Sequence, residues 1–98
     1  MRELSIERQL VREAQRRGGV ALKLGVAGLP DRIVILPSRR PGGPAAIGLP
    51  ELKAPGEDAR PLQQHRIGEL RELGCVTGVV DTFAKVDQFL DTVEEVYA

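Results

Sequence analysis

A chain of 98 residues makes one domain with a small core, and its 42% hydrophobic content is that of an ordinary globular protein. Its 14 basic residues balance its 14 acidic ones, so the molecule as a whole exerts no pull on a polyanion, and any nucleic-acid contact must come from local patches. The single Cys75 excludes an internal disulfide, no apolar run approaches the roughly 20 residues that span a bilayer, and the charged N-terminus carries no signal-peptide core, so the expectation is a soluble, cytoplasmic protein without a membrane partner.

Glu3 to Arg17 has the period of an amphipathic helix, with Ile6, Leu10, Val11 and Ala14 recurring on one face. Glu7 lies one turn from both Glu3 and Val11, so it shares or flanks that inward face and needs a partner; Arg8 or Arg12 on the same helix is the simplest one. Arg8, Arg12 and Arg16 form a basic stripe at i, i+4 spacing, a pattern that is usually a solvated face. Gly18-Gly19 ends the helix. Val20 to Leu24 reads as a first strand, with Lys23 a rim lysine whose head reaches solvent.

Asp31 opens the run Arg32-Ile33-Val34-Ile35-Leu36, which is β-branched and apolar at alternate and intervening positions alike and so reads as a strand covered on both faces. Its carboxylate would sit at the rim of the core. Pro37 to Pro44 is a loop by its prolines and glycines, joining two antiparallel strands; Arg39 and Arg40 at its tip serve either solubility or a grip on a phosphate backbone. The next strand is Ala45 to Lys53. Pro50 within it cannot donate to a ladder, so a bulge or a ladder break is expected there.

Side chains alternate along a strand, so Glu51 and Lys53 point to one face and Leu52 to the other. If the Ile33 and Leu49 strands pair as neighbours, Asp31 comes beside Glu51, and two carboxylates that close repel each other unless a cation lies between them. An all-oxygen site of this kind suits a hard divalent ion, Mg²⁺ or Mn²⁺. Lys53 is then placed to orient or polarise a water, the layout for metal-assisted attack on phosphorus.

Ala54 to Asp58 is a turn and loop, and Pro61 suits the first turn of a helix that runs to Leu73. Its inward stripe reads Gln63, Ile67, Leu70 and Leu73, which points Gln63 toward the core side, where it needs a hydrogen-bond partner either in the preceding loop or in the site. His65 lies off that stripe and reads as exposed. Cys75 to Val80 is a last strand covered on both faces, with Cys75 a small buried hydrophobe; it follows a strand and a helix, so it adds to the sheet in parallel through a right-handed crossover. The final helix, from about Phe83 to Tyr97, docks through Val86, Phe89, Leu90, Val93 and Val96.

Asp31, Glu51 and Lys53 together resemble the PD-(D/E)xK nuclease signature. The wording around them narrows the likeness: Gly28-Leu29-Pro30-Asp31-Arg32, Glu51-Leu52-Lys53-Ala54-Pro55-Gly56 and Pro61-Leu62-Gln63 are similar, in order and rough spacing, to the virus-type replication-repair nuclease (VRR-NUC) family. The likeness extends upstream to Ile6-Glu7 and Lys23, and downstream to Leu73-Gly74 and the Val-rich last strand, which is nearly the whole chain.

That resemblance implies a single α/β domain with a restriction-endonuclease-like core, element order αβββαβα and a mixed sheet flanked by helices. It also implies a divalent-metal-dependent DNA endonuclease. Asp31, Glu51, Lys53 and Gln63 would be the catalytic set; Asp31, Glu51, the Leu52 backbone carbonyl and Glu7 would hold the Mg²⁺ or Mn²⁺; Lys23, Arg32, Arg39 and Arg40 would face DNA. Small stand-alone members resemble homodimeric Holliday-junction resolvases, which implies branched DNA as substrate and a homodimer. Relatives usually carry an apolar, hydrogen-bonding residue where this chain has Pro50, so the aim of Glu51 depends on how the ladder break falls. The alternative is a catalytically inactive DNA-binding or interaction module that retains the fold. Pro50 and the short connection from Lys23 to Asp31 favour that alternative, and the complete Asp, Glu, Lys and Gln set counts against it.

Overall fold

The computed structural model describes residues 2–96 and contains seven elements in the order αβββαβα: α1 (Glu3–Arg16), β1 (Val20–Lys23), β2 (Arg32–Leu36), β3 (Ala46–Leu52), α2 (Pro61–Glu72), β4 (Val76–Val80) and α3 (Phe83–Val96). The ends of the helices are written in the sequence. Beyond α1, Gly18 takes a φ of 86°, a conformation open to glycine, and the Gly18 and Gly19 amides donate to Gln15 O and Ala14 O, each at 2.9 Å. Thr82 Oγ1 accepts from the Lys85 amide at 3.1 Å and caps the start of α3. No helix among the described residues is long and apolar enough to cross a membrane.

The sheet has the strand order β1-β2-β3-β4. Its first three strands are antiparallel neighbours joined by short connections, whereas β4 lies parallel to β3 because α2 carries the chain back between them. Helices α1 and α3 pack together on one face. There Ile6, Leu10 and Ala14 meet Val86, Phe89, Leu90 and Val93 over Ala21, Val34, Leu36, Ala46, Leu52 and Val80. Each fully buried Ile, Leu or Val in this layer contributes roughly 1.5–3 kcal/mol.

The opposite face is only partly covered, which corrects the expectation that β2 is buried on both sides. Val34 and Leu36 are buried, but Ile33 and Ile35 are half-buried, and their neighbours Val20, Leu22 and Ile47 are exposed. The single helix on that side, α2, packs chiefly on β4 and leaves β1 and β2 open. A run of β-branched residues reports strand propensity strongly and two-sided coverage weakly.

Three smaller expectations fail for related reasons. Leu73 is 81% exposed because it is the residue after the last turn of α2 and has left the helical stripe. Val96, the last residue of α3, is exposed, and the buried stripe of that helix ends at Val93. Cys75 is half-buried, as are Val76, Thr77, Gly78 and Val79, because β4 is an edge strand and is not covered on both faces as expected. Tyr97, expected to end the last helix, lies outside the described residues.

Pro50 breaks one ladder and leaves the other intact. Pairing of β2 with β3 covers Leu36–Ala46, Ile35–Ile47 and Val34–Gly48 and stops there, while pairing of β3 with β4 continues through Pro50–Gly78 to Leu52–Val80. Extended by two residues, the β2–β3 register would set Arg32 against Pro50, which has no amide hydrogen to give. One residue further, the same register sets Asp31 against Glu51.

Candidate active site

The end of the β2–β3 ladder is where the charged residues collect. With no backbone rung at this point, the Asp31 side chain supplies one: its Oδ2 accepts from the Leu52 amide at 2.9 Å. Strand alternation buries Leu52 completely in the core and turns Glu51 and Lys53 to the other face, with Lys53 Nζ 4.0 Å from Glu51 Oε1. Glu51 is 1% exposed, and it is the one charged side chain among the described residues that is fully buried.

Gln63 reaches this pair from α2. Its Nε2 donates to Glu51 Oε1 at 3.1 Å, while its Oε1 accepts from the Arg60 amide at 3.0 Å. The second bond fixes which way the amide faces, because the carbonyl end is held by the helix start and the NH₂ end must then point at the carboxylate. The same residue therefore serves the loop and the site, the two options left open by the sequence. A guanidinium has no acceptor, so Arg60 cannot return the bond and Gln63 caps the helix alone.

Burial, followed by contact with the Asp31 carboxylate and its charge, pushes Glu51 up from the ordinary 4.5 to about 8, with Lys53 acting in the opposite sense. Glu51 Oε2 is buried with no hydrogen-bond partner in the protein. In the metal-free protein a proton on that oxygen relieves the repulsion between the two acids.

Glu3, at the start of α1, also feels this cluster. Burial raises its pKa first and the Asp31 charge second, while Lys53 lowers it. Reading the sequence passes over Glu3 because an acid in a first helical turn is ordinarily explained by the helix dipole. The signal that could have found it is its position one turn before Glu7 on the same side of the helix.

The remaining candidates lie elsewhere. Glu7 accepts from both Nε and Nη2 of Arg32, the Nε contact at 3.1 Å, and Arg32 Nη1 also donates to Ala21 O at 2.9 Å. Glu7 is thus paired across 25 residues of chain rather than with Arg8 or Arg12 on its own helix, and among the described residues it makes no three-acid metal group with Asp31 and Glu51. Arg39 pairs with Glu94 at 3.2 Å, Arg40 is exposed in the loop, and Lys23 is exposed at the end of β1. His65 is exposed and contacts Glu69 at 3.2 Å.

Among the described residues, no group of three or more His, Cys, Asp or Glu side chains converges as a metal cage. The donor chemistry nonetheless fits a hard divalent cation: two carboxylates meet, one carries an orphaned buried oxygen, and no sulfur or imidazole intrudes. Such an ion would take the place of the proton on Glu51.

No family model matches the sequence. The chain is 40% identical over 85 residues to a protein of Acyrthosiphon pisum secondary endosymbiont phage 1 that carries the name "Putative nuclease p44", the match covering 84% of this chain and 85% of that one. It is also similar to a solved structure described as a VRR_NUC domain, with a TM-score of 0.76 and 28% sequence identity over 91% of this chain and 94% of the other.

Proposed function

This chain belongs to the VRR-NUC family of nucleases, and from that premise we propose that it is a divalent-metal-dependent DNA endonuclease that cuts branched DNA as a homodimer, in the manner of a Holliday-junction resolvase. The observation that carries the reading is Glu51: a fully buried carboxylate with one orphaned oxygen, beside Asp31 and Lys53. A buried acid kept against this cost in a small core signals chemistry more than stability.

Asp31 and Glu51 would hold the Mg²⁺ or Mn²⁺, joined by the Leu52 carbonyl. Within an extended strand the N–H and C=O of one residue face the same edge, so the carbonyl of Leu52 lies on the side from which its amide reaches Asp31. When bound, the cation supplies Lewis acidity toward a phosphoryl oxygen and acidifies water. Glu51 must give up its proton before it can act as a ligand, and the Lys53 ammonium favours that loss. Lys53 also positions the attacking water and offsets the negative charge that develops on phosphorus oxygens. Gln63 holds the Glu51 carboxylate in one orientation through the bond that fixes its own amide. The displacement is in line, with no covalent enzyme intermediate. Each chain carries one such site, so paired cuts in two strands require two chains related by a two-fold axis.

The test is incubation of the protein with a four-way DNA junction and with a linear duplex of the same sequence, in Mg²⁺, in Mn²⁺ and in EDTA, beside Lys53→Ala. Expected results are cleavage of the junction in either metal, none in EDTA, and a loss of about 10²-fold or more with Lys53→Ala. Cleavage that survives both chelation and the substitution would refute the mechanism, and binding without cleavage under every metal condition would favour the inactive module.

A further inference from the structure

Outside the acid cluster lies a groove of about 520 Å³ between α1 and the ends of β1 and β2. Arg8, Arg12, Lys23 and Arg32 line it with a single carboxylate, Glu7, which is already paired to Arg32. The groove therefore holds three surplus positive charges on a chain whose total is zero. Arg8, Arg12 and Lys23 are exposed, and none of them forms an ion pair among the described residues; Arg12 makes one long contact, to the neutral Gln9 at 3.5 Å. Of the arginines on α1, Arg16 is paired, with Glu13. Those facing the groove have been left without counter-charges.

We propose that this groove holds the phosphate backbone of a duplex DNA arm flanking the bond to be cut, with Arg8, Arg12 and Lys23 each neutralising a phosphate. This inference rests on the nuclease reading above and extends it to where the substrate lies. The groove adjoins the acid cluster, because Lys23 is paired with Arg32 across β1 and β2, and Arg32 directly follows Asp31. Arg8 and Arg12 stand one turn apart along α1 and so can follow a single strand of phosphates. Leu4 and Val11 give an apolar wall suited to deoxyribose. Among the described residues no aromatic side chain lines the groove to offer unpaired bases a stacking surface, and contacts to phosphates carry no sequence information.

The experiment is fluorescence anisotropy of the full chain with a labelled 20-base-pair duplex, in EDTA so that no cleavage occurs, across a salt series. Arg8→Gln/Arg12→Gln is compared with wild type and with Arg66→Gln, which removes a charge from α2 on the other side of the sheet. The double variant is expected to reduce the slope of log affinity against log salt by about 1.8, at about 0.9 per phosphate, and to weaken binding at least tenfold. Thermal melts verify that both variants fold. An unchanged slope in the double variant, or an equal change in Arg66→Gln, overturns the groove assignment, as does tighter binding of a single strand than of the duplex. A changed slope in a protein that never cleaves DNA would keep the groove and refute the nuclease; cleavage with an unchanged slope would do the reverse.

Discussion

Glu51→Gln in the metal-free protein should remove a specific pH dependence of stability. In the folded chain the Glu51 carboxyl keeps its proton up to about 8, whereas in the unfolded chain it loses it near 4.5. Between those values the folded state binds one more proton than the unfolded state, so stability falls as pH rises. Each pH unit in that window is worth about 1.4 kcal/mol, or roughly 4 kcal/mol from pH 5 to pH 8. For a domain of this size 1 kcal/mol corresponds to about 4–8 °C in Tm, so a fall of at least about 15 °C is expected. Glutamine retains the shape of the side chain and an oxygen for Gln63 Nε2, and it has no proton to lose. Thermal melts in EDTA at several pH values should therefore show a falling curve for wild type and a nearly level one for the variant, with the variant the more stable protein at pH 8. Saturating Mg²⁺ should restore the wild type at pH 8 and leave the variant unmoved. Parallel curves for the two proteins would refute the buried, proton-holding carboxylate.

Gln63→Glu keeps an acceptor for the Arg60 amide but sets a second negative charge against Glu51 Oε1, which raises the proton affinity of Glu51 further. Cleavage at pH 7 should fall about tenfold and the rise of rate with pH should move upward by about one unit; a uniform loss at all pH values would contradict this. Gly48 lies directly under α3, where a Cβ would come within 2.5 Å of Val93 Cγ2 and 3.0 Å of two ring carbons of Phe89. Gly48→Ala should destabilise the fold by about 1–3 kcal/mol in urea titration, and Val93→Ala in the same chain should return part of that loss.

Most of the architecture was legible because its punctuation is local. The Gly18-Gly19 stop, the proline-rich loop from Pro37 to Pro44 and the Pro61 helix start bring the expected boundaries within one or two residues of those observed. The convergence of Asp31, Glu51 and Lys53 followed from alternation, which is local, and from the assumed pairing of two strands adjacent in the chain. What escaped was tertiary. A helical wheel offers Glu7 only the arginines of its own helix, whereas the structure gives it Arg32 from a strand. The open outer face of β1 and β2 was hidden for a similar reason, since the pattern within a strand does not say how far α2 extends over its neighbours. Gln63 was half legible: its need for a partner was plain, but its simultaneous hold on Arg60 and Glu51 required both to be in place.

The stretch between Lys53 and Arg60 is anchored independently at its two ends. The Lys53 amide donates to Val80 O at 3.1 Å, and the Arg60 amide is held by Gln63 at 3.0 Å. Between them Pro55, Gly56, Glu57 and Asp58 are all exposed. Doubling the length of a flexible loop costs only about 0.6 kcal/mol in closure entropy. An inserted hairpin or helix here would hang from two fixed posts, leaving every acid and amide described above where it is. The molecule thus carries a built-in splice point at which a larger enzyme could be assembled around an unchanged centre.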